Sequence, residues 1–600
     1  MALRRLYHRY QRFKIKLLHS LHNFFEQFSL YVGLVTAVVM AYDLGFRHVS
    51  KPVFFSSVYL LFLSTFTVAF ALRTLLFPSK SNLSNALRLL LIIVLLFVCG
   101  YKFNHLKHAF APHSWMNVGS LAVCGFLLLF DISRKVLSLY SQRFNPALSF
   151  ILSFLLLALI GAGLLMLPRA TVHGLSFVDA LFTSVSAVCV TGLSTVDVAV
   201  EFTRLGKIIL LILIQLGGLG MLSFTSFFGY LYQGGFSIEN QLFLKDIATS
   251  DRIGDVFRSL FKIIFITLFI ELVGALFIYL TLDTTGLFAT NGQRLRFAVF
   301  HSISAFCNAG FSSVPNGLYN EYLRQNTSLH WVLIVLVIMG GIGFSIINDF
   351  YLYLKHYGRQ LYLWIRYGLK VHHMSRSVSI NTRLVMVMTA LLLLVGTLAF
   401  WWSESNGALA NETSTFGKIT MAFFASTAPR SAGFTTFDIG QIYPATVLIF
   451  LLLMWIGAAP GSTGGGIKVT TFAVALLNVL SLAQGKDRVE VMKRRIPSES
   501  VRRAFAVITL SLLIIGPAIL IITILEPEKP LIGLAFECFS AFGTAGMTLN
   551  LTPFLGDVTK LVLVVLMFVG RIGTFTLFVA FVRRVKALNY QYPNENVFIN

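Results

Sequence analysis

FVDALFTSVSAVCVTGL (177–193), LRFAVFHSISAFCNAGF (295–311), KITMAFFASTAPRSAGF (418–434) and LIGLAFECFSAFGTAGM (531–547) are four seventeen-residue stretches of one 600-residue chain that align without a gap. The sixth column is Phe in every copy (Phe182, Phe300, Phe423, Phe536), the tenth is hydroxylic (Ser186, Ser304, Thr427, Ser540), the eleventh is Ala and the sixteenth is Gly (Gly192, Gly310, Gly433, Gly546). Those glycines recur every 113 to 123 residues, and repetition at a fixed period marks a repeated structural unit. A second repeat follows each one: Gly217-Gly218-Leu219-Gly220, Gly340-Gly341-Ile342-Gly343, Gly457-Ala458-Ala459-Pro460 and Gly570-Arg571-Ile572-Gly573 interrupt apolar runs. Each unit therefore reads as a spanning helix, a short apolar segment ending in Gly, and a second spanning helix.

The surrounding composition says what solvent these units meet. Hydrophobic residues make up 56% and charged residues 12%, against about 25% charged in soluble domains. Such a chain cannot cover a water-facing surface, which excludes a cytosolic enzyme, a disordered chain and a secreted disulfide scaffold. Cys99, Cys124, Cys189, Cys307 and Cys538 show no CxxC or Cys/His spacing, so neither zinc nor a disulfide framework is indicated. Apolar stretches near 28–44, 53–77, 86–101, 117–130, 148–167, 206–229, 259–282, 329–354, 384–402, 445–480, 504–525 and 558–582 predict twelve crossings. The net charge of +23 sits in alternate gaps: 4–16, 355–376, 486–503 and 583–586 are basic, whereas Asp283, Glu404, Glu412, Asp438, Glu526 and Glu528 lie in the gaps between. That places both termini in the cytoplasm and points to membrane, not nucleic acid. The basic arm 1–27 precedes a retained first helix, because no small-residue cleavage site follows Tyr42.

The short segments ending in Gly cannot cross a bilayer and read as re-entrant. Non-helical backbone at membrane depth is tolerated only where protein or water surrounds it, and Gly allows positive φ and close approach. Four parallel copies about one axis would surround a central path with backbone carbonyls, which can replace an ion's hydration shell. The competing reading is that the glycines only pack helices; it leaves unexplained why all four copies fall in acidic gaps.

The fourfold helix–pore-loop–helix unit resembles the Trk/Ktr/HKT superfamily of cation transporters over about residues 145–590. The resemblance implies an all-α integral membrane fold of four repeats in pseudo-fourfold array (145–230, 257–354, 381–482, 502–586), with N-terminal helices over 28–140 outside it and a cytoplasmic tail at 587–600. It implies a selectivity filter of Val190, Thr191, Gly192, Asn308, Ala309, Gly310, Ser431, Ala432, Gly433, Thr544, Ala545 and Gly546, binding K⁺ through their carbonyls. Within the family a Ser in place of the first filter glycine accompanies sodium selectivity, so four glycines favour K⁺, with Na⁺ and Rb⁺ as further candidates. It also implies a homodimer in lipid, in the inner cell membrane, paired with a cytosolic ring of nucleotide-binding regulatory subunits (TrkA/KtrA-like), and no covalent cofactor.

Two further features point to gating. Gly457–Lys468 holds too many glycines, plus Pro460, to remain a stable helix, and the resemblance makes it an intramembrane gate (Gly461, Ser462, Thr463, Gly464, Gly465, Gly466, Lys468). It is not a phosphate loop, since Lys468 does not follow the last glycine and no strand precedes it. Arg571 occupies the place of Gly218 and Gly341, and an intramembrane charge is a functional candidate. In the family an Arg there forms a cation barrier; a salt bridge to a neighbouring helix is the plainer reading. Arg430 is expected on the vestibule side, bracing the third loop through backbone carbonyls. His301 and Glu537 are expected to be satisfied locally, and Asp197 and Asp438 to draw cations to the mouth or to cap helices. No Arg recurs every third residue in the first four spans, so no voltage sensor is indicated. A coupled secondary transporter would show inverted repeats and membrane-buried acids; the repeats here are parallel and no acidic cluster is expected. An enzyme would need a nucleophile or acid/base cluster, and none is seen.

Overall fold

The computed structural model describes residues 2–46, 52–76, 82–107, 123, 124, 127, 146–220, 256–282, 288, 290–368, 379–410, 412–492 and 494–581. Helix α1 (Ala2–Gly45) runs through the basic arm, α2 (Pro52–Leu76) packs on it, and α3 (Asn82–Lys107) packs on α2. Phe55, Tyr59, Phe62, Phe66 and Phe70 form the buried face of α2, and Tyr59 donates to Asp43 Oδ2 at 2.7 Å. Arg169 N bonds Gly45 O at 2.9 Å, which seats this bundle on the first repeat. The expected fourth span, 117–130, lies almost wholly outside the described residues, as do 221–255 and the tail.

The repeats then follow. Outer helices are α4 (Pro146–Leu165), α7 (Val256–Thr281), α11 (Ile380–Ser403) and α15 (Ser498–Leu525). Half-helices are α5 (Phe177–Val188), α8 (Asn291–Phe306), α12 (Thr415–Thr427) and α16 (Leu531–Gly543). Inner helices are α6 (Arg204–Leu219), α9 (Thr327–Ile342) continued by α10 (Phe344–Tyr367), α13 (Pro444–Trp455) with α14 (Val469–Ala483), and α17 (Asp557–Ile572) with α18 (Thr574–Phe581). Each half-helix packs on its own outer helix, and each inner helix packs on the half-helix of the next repeat: α6 on α8, α9 on α12, α13 on α16, and α17 back on α5. The array is thereby closed. The only strands among the described residues are the two-residue pair Glu490–Val491 and Arg494–Arg495.

The inner helices within 329–354, 445–480 and 558–582 are broken at the glycine interruptions marked in the sequence. Three of the four inner helices stop at a glycine in a conformation only glycine adopts freely: Gly220 (φ 77°, ψ 126°), Gly343 (φ 96°, ψ 146°) and Gly573 (φ 92°, ψ 129°). As a result five described helices are individually long and apolar enough to cross a bilayer, or six if the bent α9–α10 pair is counted. The cause is a joint. A methyl group on Gly217, Gly340 or Gly570 would lie 2.1, 1.9 or 1.9 Å from the carbonyl oxygen of Val188, Phe306 or Phe542, at the end of a half-helix. The first, second and fourth inner helices thus touch the tip of their own half-helix just before they break, whereas Gly457 of the third meets Gly465 O of its own loop.

A second joint is polar. Ser184, Ser302 and Ser426 donate to the carbonyls of Ala158, Glu271 and Leu393 on their outer helices, and Gly161, Gly274 and Gly396 leave room for them. Between the last and first repeats, Lys560 Nζ meets Asp179 Oδ1 at 2.7 Å with both side chains largely buried. Lys560→Met is expected to destabilise the fold by about 2 kcal/mol, less than the ~3–5 of a fully buried broken pair; thermal unfolding in detergent would measure it, and an unchanged midpoint would show that the pair does not close the array.

Candidate functional site

Four half-helices bring their C-terminal ends to one place. Ser176, Thr290 and Ser414 cap α5, α8 and α12 by accepting from the N–H of Asp179, Gln293 and Gly417. No half-helix has a basic residue in its last turn, so the negative ends of four helix dipoles converge, an arrangement that favours a cation by roughly 0.3–1 kcal/mol per helix.

The triplets that follow share one unusual backbone. The first residue of each lies in the left-handed region (Val190 φ 57°, Asn308 φ 60°, Ser431 φ 80°, Thr544 φ 47°), and so does each closing glycine (Gly192 φ 93°, Gly310 φ 70°, Gly433 φ 68°, Gly546 φ 79°). A β-branched residue such as Val190 or Thr544 at positive φ is strained, and strain of this kind clusters at functional sites. The turns are held from behind: Thr191, Ala309 and Ala545 N–H bond the carbonyls of Ser186, Ser304 and Ser540 at 2.7, 2.7 and 2.9 Å. In the third copy Ala432 N–H bonds Ala428 O instead. The hydroxyl column is used unequally: Ser186 Oγ accepts from Gly192 N at 3.0 Å, Ser304 donates to Phe311 O at 2.8 Å, Thr427 turns back to Phe423 O, and Ser540 has no partner among the described residues.

The glycines then interlock around a circle. A methyl group on Gly192 would lie 2.4 Å from Ala309 O; on Gly310, 2.7 Å from Ala432 O; on Gly433, 2.9 Å from Ala545 O; on Gly546, 2.2 Å from Thr191 O. Each copy nests against the next and the fourth against the first. All twelve triplet residues expected from the sequence are brought together here, in one ring of backbone.

Directly against this ring lies the chain from Gly457 to Lys468, clasped at its neck by a parallel bridge between Ile456 and Ile467. Gly465 N donates to Thr544 Oγ1 at 2.9 Å, Thr463 Oγ1 to Phe306 O at 3.2 Å, and Thr463 N to Gly340 O at 3.3 Å. A Cβ on Gly464 would strike Ala458 and Ser431, so the chain fits under the third triplet there only as glycine. Lys468 Nζ folds back on Gly464 O at 2.6 Å. Arg571 donates from one nitrogen to Thr463 O in the loop and from the other to Gly217 O at 2.5 Å. Among the described residues it pairs with no carboxylate, so the salt-bridge reading gives way to a guanidinium held by two backbone carbonyls.

Other expectations change. Arg430 is not on the vestibule side: it is buried behind the third triplet, beside Gly341, Thr389, Thr427 and Ala458, and its Nε has no hydrogen-bond partner among the described residues. Pro429 and the altered third turn redirect it inward. His301 is satisfied locally by Phe297 O and Ser312 Oγ, both at 3.0 Å, and Glu537 by Thr548 and Thr552 hydroxyls. Asp197 and Asp438 cap short helical turns, accepting from Ala199 N at 2.8 Å and Gly440 N at 3.0 Å; Asp438 also lines a recess of about 320 Å³ with Gly433, Gly546 and Asn550. A carboxylate is buried in an outer helix after all: Glu271, mid-α7, accepts from Gln215 Nε2 at 3.0 Å and faces Cys307. An acid inside FITLFIELVGALF was legible in the sequence, and Glu404 and Glu537 are buried carboxylates as well.

This geometry has known counterparts. The model of the family described as TrkH, cation transport protein, matches residues 138–590. The chain belongs to the TrkH family. Ktr system potassium uptake protein B of Bacillus subtilis is 35% identical over 76% of this chain and 97% of its own length. Potassium/sodium uptake protein NtpJ of Enterococcus hirae is 32% identical over 76% and 98%. The crystal structure of the potassium transporter TrkH from Vibrio parahaemolyticus covers 88% of this chain and 97% of that one at a TM-score of 0.55 and 19% identity, which establishes a shared fold. TrkH-family membership makes this a multi-pass membrane protein and a transporter, not an enzyme. The family match begins at 138 and leaves α1–α3 outside it.

Proposed function

We propose that this TrkH-family protein takes up potassium through the ring formed by Val190–Gly192, Asn308–Gly310, Ser431–Gly433 and Thr544–Gly546, whose carbonyls replace the ion's water shell. The observation that carries the reading is the closed circle of glycine-to-carbonyl contacts at the convergence of four helix C-termini. The names of the relatives from Bacillus subtilis and Enterococcus hirae support potassium as cargo. The second name also includes sodium, which keeps Na⁺ permeation as the second reading. The alternation of basic and acidic gaps supports twelve crossings in the inner membrane with both termini in the cytoplasm, and the family resemblance supports a homodimer carrying a ring of nucleotide-binding subunits.

In this mechanism the 457–468 loop plugs the path beneath the ring. Arg571 holds the plug through Thr463 O while presenting positive charge to the path. A conducting state needs Gly461–Gly466 to leave, and glycine-rich backbone moves with little steric resistance. Removal of Gly461–Gly466 is expected to raise conduction and abolish its regulation; flux that stays low and regulated would rule the loop out as gate.

The deciding experiment for the function is rubidium uptake in cells lacking their own potassium uptake. Rb⁺ entry should be competed by K⁺ and little affected by a large excess of Na⁺. Equal competition by Na⁺ would establish the sodium-permeable reading, and no uptake above the empty vector would remove both.

A further inference from the structure

Helix α10 (Phe344–Tyr367) serves no part of the site described above. It begins immediately after Gly343 and turns by 103° from α9. Its base is fixed: Phe344 N bonds Gly461 O at 3.1 Å, and Asp349 Oδ2 accepts from Ser379 at 3.1 Å and Thr382 at 2.6 Å, at the start of α11. Beyond Asp349 nearly every side chain is exposed on all sides.

The depth of this turn is set by arithmetic. Helix α9 has 16 residues, about 24 Å at roughly 1.5 Å per residue, against a hydrocarbon core of about 30 Å. With α9 along the bilayer normal and Thr327 at the near boundary, a helix that leaves it nearly at right angles travels parallel to the bilayer, roughly 6 Å inside the far boundary. Interfacial amphipathic helices rest about 5–10 Å into that boundary.

The sequence of α10 fits such a position. Phe350, Leu354, Tyr357, Leu361 and Ile365 lie on one face and are 40%, 64%, 56%, 45% and 71% exposed. The opposite face carries Lys355, Arg359 and Arg366. No Asp or Glu occurs from 350 to 367, so every charged side chain on the water-facing side is cationic, with Leu352 and Tyr362 between them. Tyr353 and Trp364 border the apolar face, as ring side chains do at membrane interfaces.

We propose that α10 lies in the bilayer surface opposite the mouth of the ring and binds anionic phospholipid headgroups through Lys355, Arg359 and Arg366. The charge complementarity and the perpendicular exit from α9 select a lipid surface over a protein groove as its occupant. Because the first N–H of α10 holds Gly461 O, lipid charge bears on the 457–468 loop; that consequence rests on the gating role proposed above, whereas the surface contact does not.

The test uses the full chain in vesicles of phosphatidylcholine with or without phosphatidylglycerol. Ile365→Cys and Arg359→Cys are each coupled to an environment-sensitive fluorophore, with the unsubstituted chain setting the background from its own cysteines. The label at 365 should be quenched by lipids spin-labelled near the carbonyl and not by iodide, and the label at 359 by iodide. Spin-labelled phosphatidylglycerol should quench the 365 label more than spin-labelled phosphatidylcholine at equal fraction, and this preference should be lost in a Lys355→Gln, Arg359→Gln, Arg366→Gln variant. Tyr357→Cys replaces Ile365→Cys if the latter fails to fold. Iodide quenching of both labels would put α10 in water, free to dock a soluble partner; shielding of both from iodide and lipid would put it against a second copy; either overturns the proposal. Rubidium flux in the same vesicles separates this outcome from failure of the transport reading, since the depth of α10 is read without conduction.

Discussion

Gly192→Ser is expected to lower the preference for K⁺ over Na⁺ by about tenfold, some 1.4 kcal/mol of discrimination. Gly192 holds φ 93°, where an added Cβ costs about 1–2 kcal/mol. That Cβ would also lie 2.4 Å from Ala309 O, the carbonyl of the neighbouring copy. The chain must relieve both by moving the ring, and carbonyl positions are what distinguish one dehydrated cation from another. Gly174 provides the control: it has φ 88°, but a Cβ there would meet nothing within 4 Å. Gly174→Ser therefore shares the backbone strain without touching the ring, and should leave selectivity intact. Competition of rubidium uptake by Na⁺ reads both variants, and an unchanged ratio in Gly192→Ser would detach the ring from selectivity.

Arg571→Ala is expected to raise K⁺ flux by about tenfold to a hundredfold, since one unit charge a few ångströms from the path is worth some 3 kcal/mol at an effective dielectric near 20. The same change frees Thr463 O, and with it the loop beneath the ring. Arg571→Lys separates the two effects, because an ammonium keeps the charge but cannot fork to Thr463 O and Gly217 O together. Flux near the original level in Arg571→Lys assigns the barrier to charge; flux raised in both variants assigns it to the clamp on the loop. Vesicle flux with protein folding checked by size-exclusion chromatography makes the measurement, and lower flux from folded Arg571→Ala would end the barrier reading.

Much of this site was legible in the residues. Gly192, Gly310, Gly433 and Gly546 could be aligned because each occupies a position where backbone approaches backbone at positive φ, which favours glycine in all four copies. The 457–468 loop was legible for a similar reason: Gly464 and Gly465 sit against Ser431 and Thr544, so the contact itself demands glycine. Glu271 was equally visible, an acid within an apolar helix, yet its partners Gln215 and Cys307 lie far from it along the chain and carry no mark of their own. Arg430 misled for the opposite reason: its neighbours in sequence point to the vestibule, and only the different turn of the third copy sends it behind the ring.

Taken alone, the order of residues determined that the chain lives in lipid, that it contains one unit four times, and which backbone positions must stay bare, because hydropathy, period and missing side chains are all local properties. Tertiary structure decided that Gly217, Gly340 and Gly570 seat on the carbonyls of Val188, Phe306 and Phe542, that Arg571 ends on the carbonyls of Thr463 and Gly217, and that α10 leaves α9 at 103°. Those facts depend on where segments far apart in the chain, or on either side of a single left-handed glycine, come to rest, and no local pattern encodes the direction in which such a hinge is set.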